Sequence, residues 1–469
     1  MRKYFHSNHC FLYYESPVIV SMVMGLFLIV AAMITQGLIY AYNKFAVETA
    51  TLNQTCRLLD YFYSFRNTLI IMSALFLLLA LLLKKFLPEQ IIIKRMVQRG
   101  LYYYPLGNPL RLKEGEILPP VRIRKIDNGR YEIKIRVTAF TIDDLSNVAS
   151  NISSSINSKF FDRYAVISTD SDISMNWVKF IIDDVTVIRK LTVDSVHQLK
   201  TGVPTKLKIQ SDTNIDLSTS GSILVAGKTR SGKTTGIISL LLQALQYGRD
   251  DYGSEIIIID PKRAELSRLP HTVTLTEDGE GTEIIAALQR FENAVVRRQK
   301  ILNDLSEEKG DAVKWWDAGM HVSFLFIDEY VSARSIFPQK ASKDNPDYSL
   351  NNFDGLVKRI VTMGASAGCY VIISIAEASV ESGGLPAMIR SAMSTKILFK
   401  PTQTEARLIW DSEKLKNFPE RIYQAGDAWF SSTDGINDNV TYVRFPQMDF
   451  KVYKELGELL KEYYSDTDI

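Results

Sequence analysis

Residues 18–42, VIVSMVMGLFLIVAAMITQGLIYAY, carry no charged side chain. In hydrocarbon every backbone N–H and C=O must be satisfied within its own segment, so a run of this kind is a helix, and about 20 residues cross a bilayer. A second uncharged run, residues 67–83, is shorter, but Lys84 and Lys85 can snorkel and Phe86 and Leu87 extend it. Two membrane spans are expected, at about 18–42 and 67–87. The first leads into Tyr40, Tyr42 and Asn43 rather than a small-residue cleavage site, so it is expected to be retained.

Lysine and arginine beside a span resist translocation. From Lys84 to Arg130 there are eleven basic and four acidic residues, an excess of seven positive charges in a chain whose formal net charge is +2. The long C-terminal part is therefore expected in the cytoplasm of a multi-pass cell-membrane protein. Two spans bring the N-terminus to the same side and leave about 25 residues outside. Positive-inside bias, anionic membrane lipid and nucleic acid all fit the basic segment. An apolar content of 46% excludes wholesale disorder. Cys10, Cys56 and Cys369 are too few and too scattered for a disulfide framework or a zinc cluster, which points to a reducing compartment.

The spans place an anchor at residues 1–87 and a basic juxtamembrane connector at 88–117, punctuated by Pro105, Gly107, Pro109 and Gly115. A small α+β adaptor follows at 118–205. Asp127-Asn128-Gly129 signals a turn and YEIKIRVTAF alternates like a half-buried strand. A helix is expected over 143–158, then strands in AVISTD, WVKFIIDDV and VTVIRKLTV. Nothing in this unit reads as catalytic.

From Gly221 the order becomes strand, glycine-rich turn, helix. Gly227, Gly232, Lys233 and Thr234 satisfy G-x-x-x-x-G-K-[ST], with Lys228, Thr229, Arg230, Ser231 and Thr235 completing the loop and its exit. Such a loop turns backbone N–H groups and a helix N-terminus toward phosphate; Lys233 reaches the β- and γ-phosphates of ATP and Thr234 ligates Mg2+. EIIIID ends at Asp260 and VSFLFIDEY at Asp328-Glu329, apolar strands closed by acid, as at the carboxyl edge of a parallel sheet. Asp328 is placed at the magnesium with Thr234, Glu329 as the group that polarises water, and Asp260 beside the nucleotide. YVIISIA and TKILFK complete five strands separated by helices. The fold expected is a RecA-like P-loop NTPase with a doubly wound, mainly parallel sheet over 206–445, followed by a helix in 446–469. Arg290, Arg297, Arg298 and Lys300 are read as a solvated helix face, and Trp315 and Trp316 as packing residues rather than a base-stacking platform.

GKTRSGKT, the strand end DPKRAEL at 260–266, FLFIDEY and the stretch from Gly364 to Gly368 together resemble the FtsK/SpoIIIE family of membrane-anchored DNA translocases. The resemblance covers about residues 205–445. Two spans, a modest adaptor and one motor are most similar to the coupling proteins of Gram-positive conjugative plasmids and integrative elements. This implies a ring-forming, hexameric ATPase that takes DNA from a relaxase to a secretion channel. A cell-division translocase, a protein-export ATPase and a nucleotide-holding membrane scaffold are the alternatives. The resemblance also shows departures. Ala376, Glu377 and Ala378 stand where the family places Gln-Arg-Pro, and Lys396, with Arg390 nearby, stands where an arginine often reaches the neighbouring subunit. Lysine lacks the planar fork of arginine, so slow or partner-dependent hydrolysis is expected.

Overall fold

The structure, a computed structural model, describes residues 16–46, 52–102, 110, 112, 115–136, 145–161, 163–171, 176–187, 189–376, 385–410, 415, 423–435 and 437–465. Cys10, Pro105, Gly107, Pro109, Glu377 and Ala378 lie outside them. The chain divides into two compact units, Met1–Thr186 and Val187–Ile469.

The first unit opens with α1 (Ser16–Ala46) and α2 (Leu52–Phe86). Within them Pro17–Phe45 and Leu59–Phe86 are long and apolar enough to cross a membrane. They pair closely where Gly25 lies: the Ser73 hydroxyl donates to its carbonyl at 2.9 Å, and a Cβ there would meet Leu77 Cγ at 2.9 Å. Phe27, Met33 and Leu81 on the outer faces are each more than 60% exposed. A helix of a soluble core would bury such side chains.

Beyond them lie α3 (Glu89–Tyr102), β1 (Val121–Asp127), β2 (Arg130–Arg136), α4 (Leu145–Phe160), β3 (Tyr164–Ser171) and β4 (Trp177–Asp184). The strands form an antiparallel sheet in the order β1-β2-β4-β3. The turn expected at Asn128-Gly129 joins β1 to β2, with Gly129 at φ 71°. Two expectations need correction. The segment beginning at 88, read as a connector, opens instead with α3; Ile93, Val97 and Leu101, spaced by four, place one apolar stripe in the core against Ile133, Ile152 and Phe180. The strand expected over 185–193 is reduced to β5 (Thr192–Val193), because the chain turns after β4, where Asp184 binds Thr186, and leaves the first unit.

The second unit contains β6 (Lys206–Gln210), β7 (Thr213–Asp216), β8 (Ile223–Gly227), α5 (Lys233–Leu245), β9 (Ile256–Ile259), β10 (Thr272–Val273), α6 (Thr282–Lys309), β11 (Ser323–Ile327), α7 (Tyr330–Ser335), α8 (Leu350–Met363), β12 (Cys369–Ile375), α9 (Ala387–Ala392), β13 (Thr395–Phe399), α10 (Gln403–Ile409), β14 (Asp427–Ser432), β15 (Thr441–Arg444), β16 (Gln447–Met448) and α11 (Val452–Ser465). Its main sheet has the order β10-β9-β11-β12-β8-β13-β14-β15; the first six strands run parallel, and β14 is paired antiparallel with both β13 and β15. Strands β8, β9 and β11 are buried at every position, as strands covered on both faces must be. Alternate residues feed two cores, one under α5 and α11 and one under α6 and α8. Residues before 206 share the first of these: Val193, Val196 and Leu199 are buried in it with Leu207. Since β8 lies between β12 and β13, the strand order reverses at its carboxyl end, where crevices form in doubly wound sheets.

The basic face of α6 is corrected at one position. Arg298 is fully buried, 3.6 Å from Asp250 and bonded to the Ser323 hydroxyl and the His321 carbonyl, while Arg290, Arg297 and Lys300 are exposed as expected, Arg290 pairing with Glu255 at 3.0 Å. Trp315 is a core residue beside Tyr370, as expected, and its ring fills the space above Gly368.

Candidate functional site

The P-loop leaves β8 at Gly227, follows Lys228, Thr229, Arg230, Ser231 and Gly232, and becomes α5 at Lys233. Arg230 (φ 62°) and Gly232 (φ 94°) are left-handed, which turns successive N–H groups into a concavity suited to an anion. Gly232 is required twice over: its φ is unfavourable for other residues, and a Cβ would lie 2.6 Å from the Gly426 nitrogen. That same Gly426 N–H donates to Ser231 O at 2.9 Å, so the turn before β14 braces the loop. Lys228, Thr229 and Arg230 are exposed, Thr234 is half-buried, and Thr235 is exposed on the first turn of α5. Ser231 Oγ is buried without a hydrogen-bond partner.

Register brings the acids to this loop. Ile327 of β11 pairs with Ile259 of β9 and Ile373 of β12, and Ile375 pairs with Ala226 of β8, so Asp260, Asp328, Ala376 and the P-loop leave one sheet edge. Lys233 Nζ lies 2.7 Å from Glu329 Oε1, and the lysine is nearly buried. Lys262 Nζ is 3.7 Å from Glu329 Oε2, so two cations hold this carboxylate. Glu329 itself is left-handed, at φ 51°, where the chain turns from β11 into α7.

Asp328 Oδ1 and Ser374 Oγ are buried without hydrogen-bond partners. Burial raises the Asp328 carboxyl above its ordinary value, against the pull of the Lys233 ammonium. A buried carboxylate oxygen lacking a donor suits a hydrated cation. Among the described residues no cluster of three or more His, Cys, Asp and Glu forms a metal cage. Magnesium needs none, being held in such sites by one or two protein oxygens, water and phosphate. Asp328 and the Thr234 hydroxyl fit that requirement.

Asp260 is fully buried, and its carboxylate accepts from the backbone N–H groups of Lys262 (3.1 Å), Ala264 (2.8 Å) and Ser267 (3.0 Å). These bonds organise the DPKRAEL loop and thereby present Lys262 to Glu329. Lys262, Ser374 and Gly426 are site residues that sequence reasoning missed. Lys262 had a signal, its place in the strand-end motif; the other two have no spelling that distinguishes them. Lys396 Nζ donates to Ile409 O at 3.2 Å and Arg390 to Leu408 O at 2.9 Å, so both tie the end of α10 within this chain. Lys228 lies 3.6 Å from Glu405 on the same helix.

Residues 186–333 match the FtsK/SpoIIIE family. The FtsK domain-containing protein YdcQ of Bacillus subtilis is 24% identical over 152 residues, 32% of this chain and 28% of that protein. The DNA translocase FtsK of Bradyrhizobium diazoefficiens is 24% identical over 249 residues, 47% of this chain and 30% of that protein. The chain thus spans under a third of the length of these relatives. Among solved structures, the pCW3 conjugation coupling protein TcpA, in monomer form with ATPγS, aligns at a TM-score of 0.47 and 14% identity, covering 79% of this chain and 99% of that one. EssC (ATPases 2 and 3) from Geobacillus thermodenitrificans aligns at a TM-score of 0.42 and 17% identity, covering 60% and 52%.

Proposed function

We propose, with the FtsK/SpoIIIE-family segment at residues 186–333 as premise, that this chain is a membrane-anchored ATPase that moves DNA and delivers it to a conjugative secretion channel. The observation that carries the reading is the contact of Lys233 with Glu329, which joins the P-loop to the acid at the tip of β11. DNA as the cargo is supported by the FtsK relatives. The conjugative role is supported by two candidate spans, a small adaptor and a P-loop unit in one chain. The exposed apolar sides of α1 and α2 favour a multi-pass anchor, and the basic excess after Lys84 favours both termini in the cytoplasm. Assembly as a homo-oligomeric ring, a hexamer, and contacts with relaxase and channel components belong to the same reading.

In this mechanism Lys233 exchanges the Glu329 carboxylate for the β- and γ-phosphate oxygens of ATP. Glu329, released on that side and still near Lys262, accepts the proton of the water that attacks the γ-phosphorus. Asp328 and Thr234 would hold magnesium, which would supply positive charge to the phosphate oxygens when bound. Lys396 and Arg390 could serve a neighbouring subunit only by leaving the carbonyls of α10, in keeping with slow or partner-dependent turnover.

Glu329→Gln should bind ATP and lose turnover by roughly 100-fold or more, as expected on removal of a general base. Lys233→Ala should lose binding. Nucleotide binding, and hydrolysis with and without DNA, are measured on the full chain in detergent. Intact affinity in Lys233→Ala would remove the P-loop assignment; hydrolysis indifferent to DNA in assembled rings would remove the translocase.

A further inference from the structure

The sheet of the first unit has one covered face and one open face. Tyr131, Ile133, Ile135, Val178, Phe180 and Ile182 point into the core with α3 and α4. The intervening residues point the other way, and their register sets a pattern. Arg122 stands opposite Lys134, and Lys134 opposite Lys179, three cations in one row. In the next row Arg136 stands opposite Trp177, and the Arg122 guanidinium lies 4.6 Å from the centre of that indole ring.

Like charges directly opposite destabilise a sheet, so this row is not arranged for the sheet's own stability. Glu132 offsets part of it, at 3.3 Å from Lys134 and 3.8 Å from Lys179, and Asp170 is 3.9 Å from Lys179. Arg122, Arg124 and Arg136 are exposed, and among the described residues no carboxylate lies within 4.0 Å of them. The cations left over are all guanidiniums, planar donors for phosphate that also stack on bases. Arg122 and Arg136 border the one tryptophan of the sheet, and Arg124 continues along β1 from Arg122.

We propose that this face binds single-stranded nucleic acid, with Arg122, Arg124 and Arg136 on the phosphate backbone and Trp177, with the Arg122 plane, as a stacking platform for bases. A lipid surface would need only net positive charge, and carboxylates at the centre of the patch would oppose it. A nucleic-acid strand instead follows a line of cations past a ring, and tolerates Glu132 and Asp170 beside that line. This contact is separate from the P-loop unit and stands or falls apart from the motor reading.

The test is fluorescence anisotropy of a labelled 20-nucleotide dT strand with the nucleotide-free full chain in detergent, across a salt series. The triple variant Arg122→Gln, Arg124→Gln, Arg136→Gln should weaken binding about tenfold at 0.1 M salt and make the log–log salt slope shallower by about 2, three phosphate contacts at ~0.7 each. Trp177→Leu should weaken binding several-fold and leave the slope unchanged, since stacking releases no counterions; Trp177→Phe should restore part of the loss. Unchanged affinity and slope in the triple variant would overturn the proposal. So would a loss confined to phosphatidylglycerol vesicles, which would assign the face to the membrane. DNA-stimulated hydrolysis in the same samples separates the two readings: stimulation with unchanged strand affinity sinks only the sheet contact, and the expected affinity loss without stimulation in the parent sinks only the motor.

Discussion

Asp184 shows how a single carboxylate secures the end of a strand. It is fully buried at the close of β4, accepts from the Thr186 N–H at 2.9 Å and hydroxyl at 2.6 Å, and lies 2.6 Å from an Arg163 nitrogen. Burial alone would raise its pKa, but Arg163 and Thr186 outweigh burial and hold it below the ordinary carboxylate value. A depressed pKa contributes stability above the unfolded value of about 3.9, and that contribution is lost as pH falls through the folded value. Asp184→Asn should therefore destabilise the first unit at pH 7 by about 1–3 kcal/mol, with the two melting curves converging in acid, as read by circular dichroism from pH 7 to pH 2. Of such details the linear chain shows little. Lys233, Asp328 and Glu329 were legible because their chemistry is tied to a spelling. Arg298 was misread as solvated because its partner, Asp250, lies far along the chain and only packing brings them together.

At the scale of elements, α11 is part of the core rather than an appendage. Leu456, Leu460 and Tyr463 are buried with α5, and the Tyr464 hydroxyl both accepts from Ile256 N–H at 3.2 Å and donates to Ile256 O at 2.8 Å. It thus completes the backbone bonding at the start of β9. Tyr464→Phe leaves that donor and acceptor unpaired beneath a helix, at a cost of about 1–3 kcal/mol. The measurement is denaturant unfolding of the full chain; a midpoint equal to the parent's would show that solvent replaces the hydroxyl. The same element scale explains the misread connector. Proline and glycine after residue 104 signalled a linker, whereas the period-four apolar stripe before it was enough to make α3.

At the scale of the whole molecule, the division at Thr186 and Val187 leaves each unit a hydrophobic core of its own. Residues 187–469 expressed alone should fold cooperatively and bind ATP with the affinity of the full chain, within about threefold, as expected when few contacts cross a domain boundary. Circular dichroism and nucleotide titration check this; a fragment that fails to melt cooperatively would show that the cores depend on each other. The amino-acid order alone determined the apolar helices, the P-loop and the parallel strands ending in acid, because each is a local pattern of hydrophobicity, backbone freedom or charge. Only tertiary structure decided that Lys233 meets Glu329, that Gly426 braces the P-loop at Ser231, and that three cations align across the open sheet. Those relations depend on strand register and on turns far apart in sequence, and register is settled by packing the whole sheet at once.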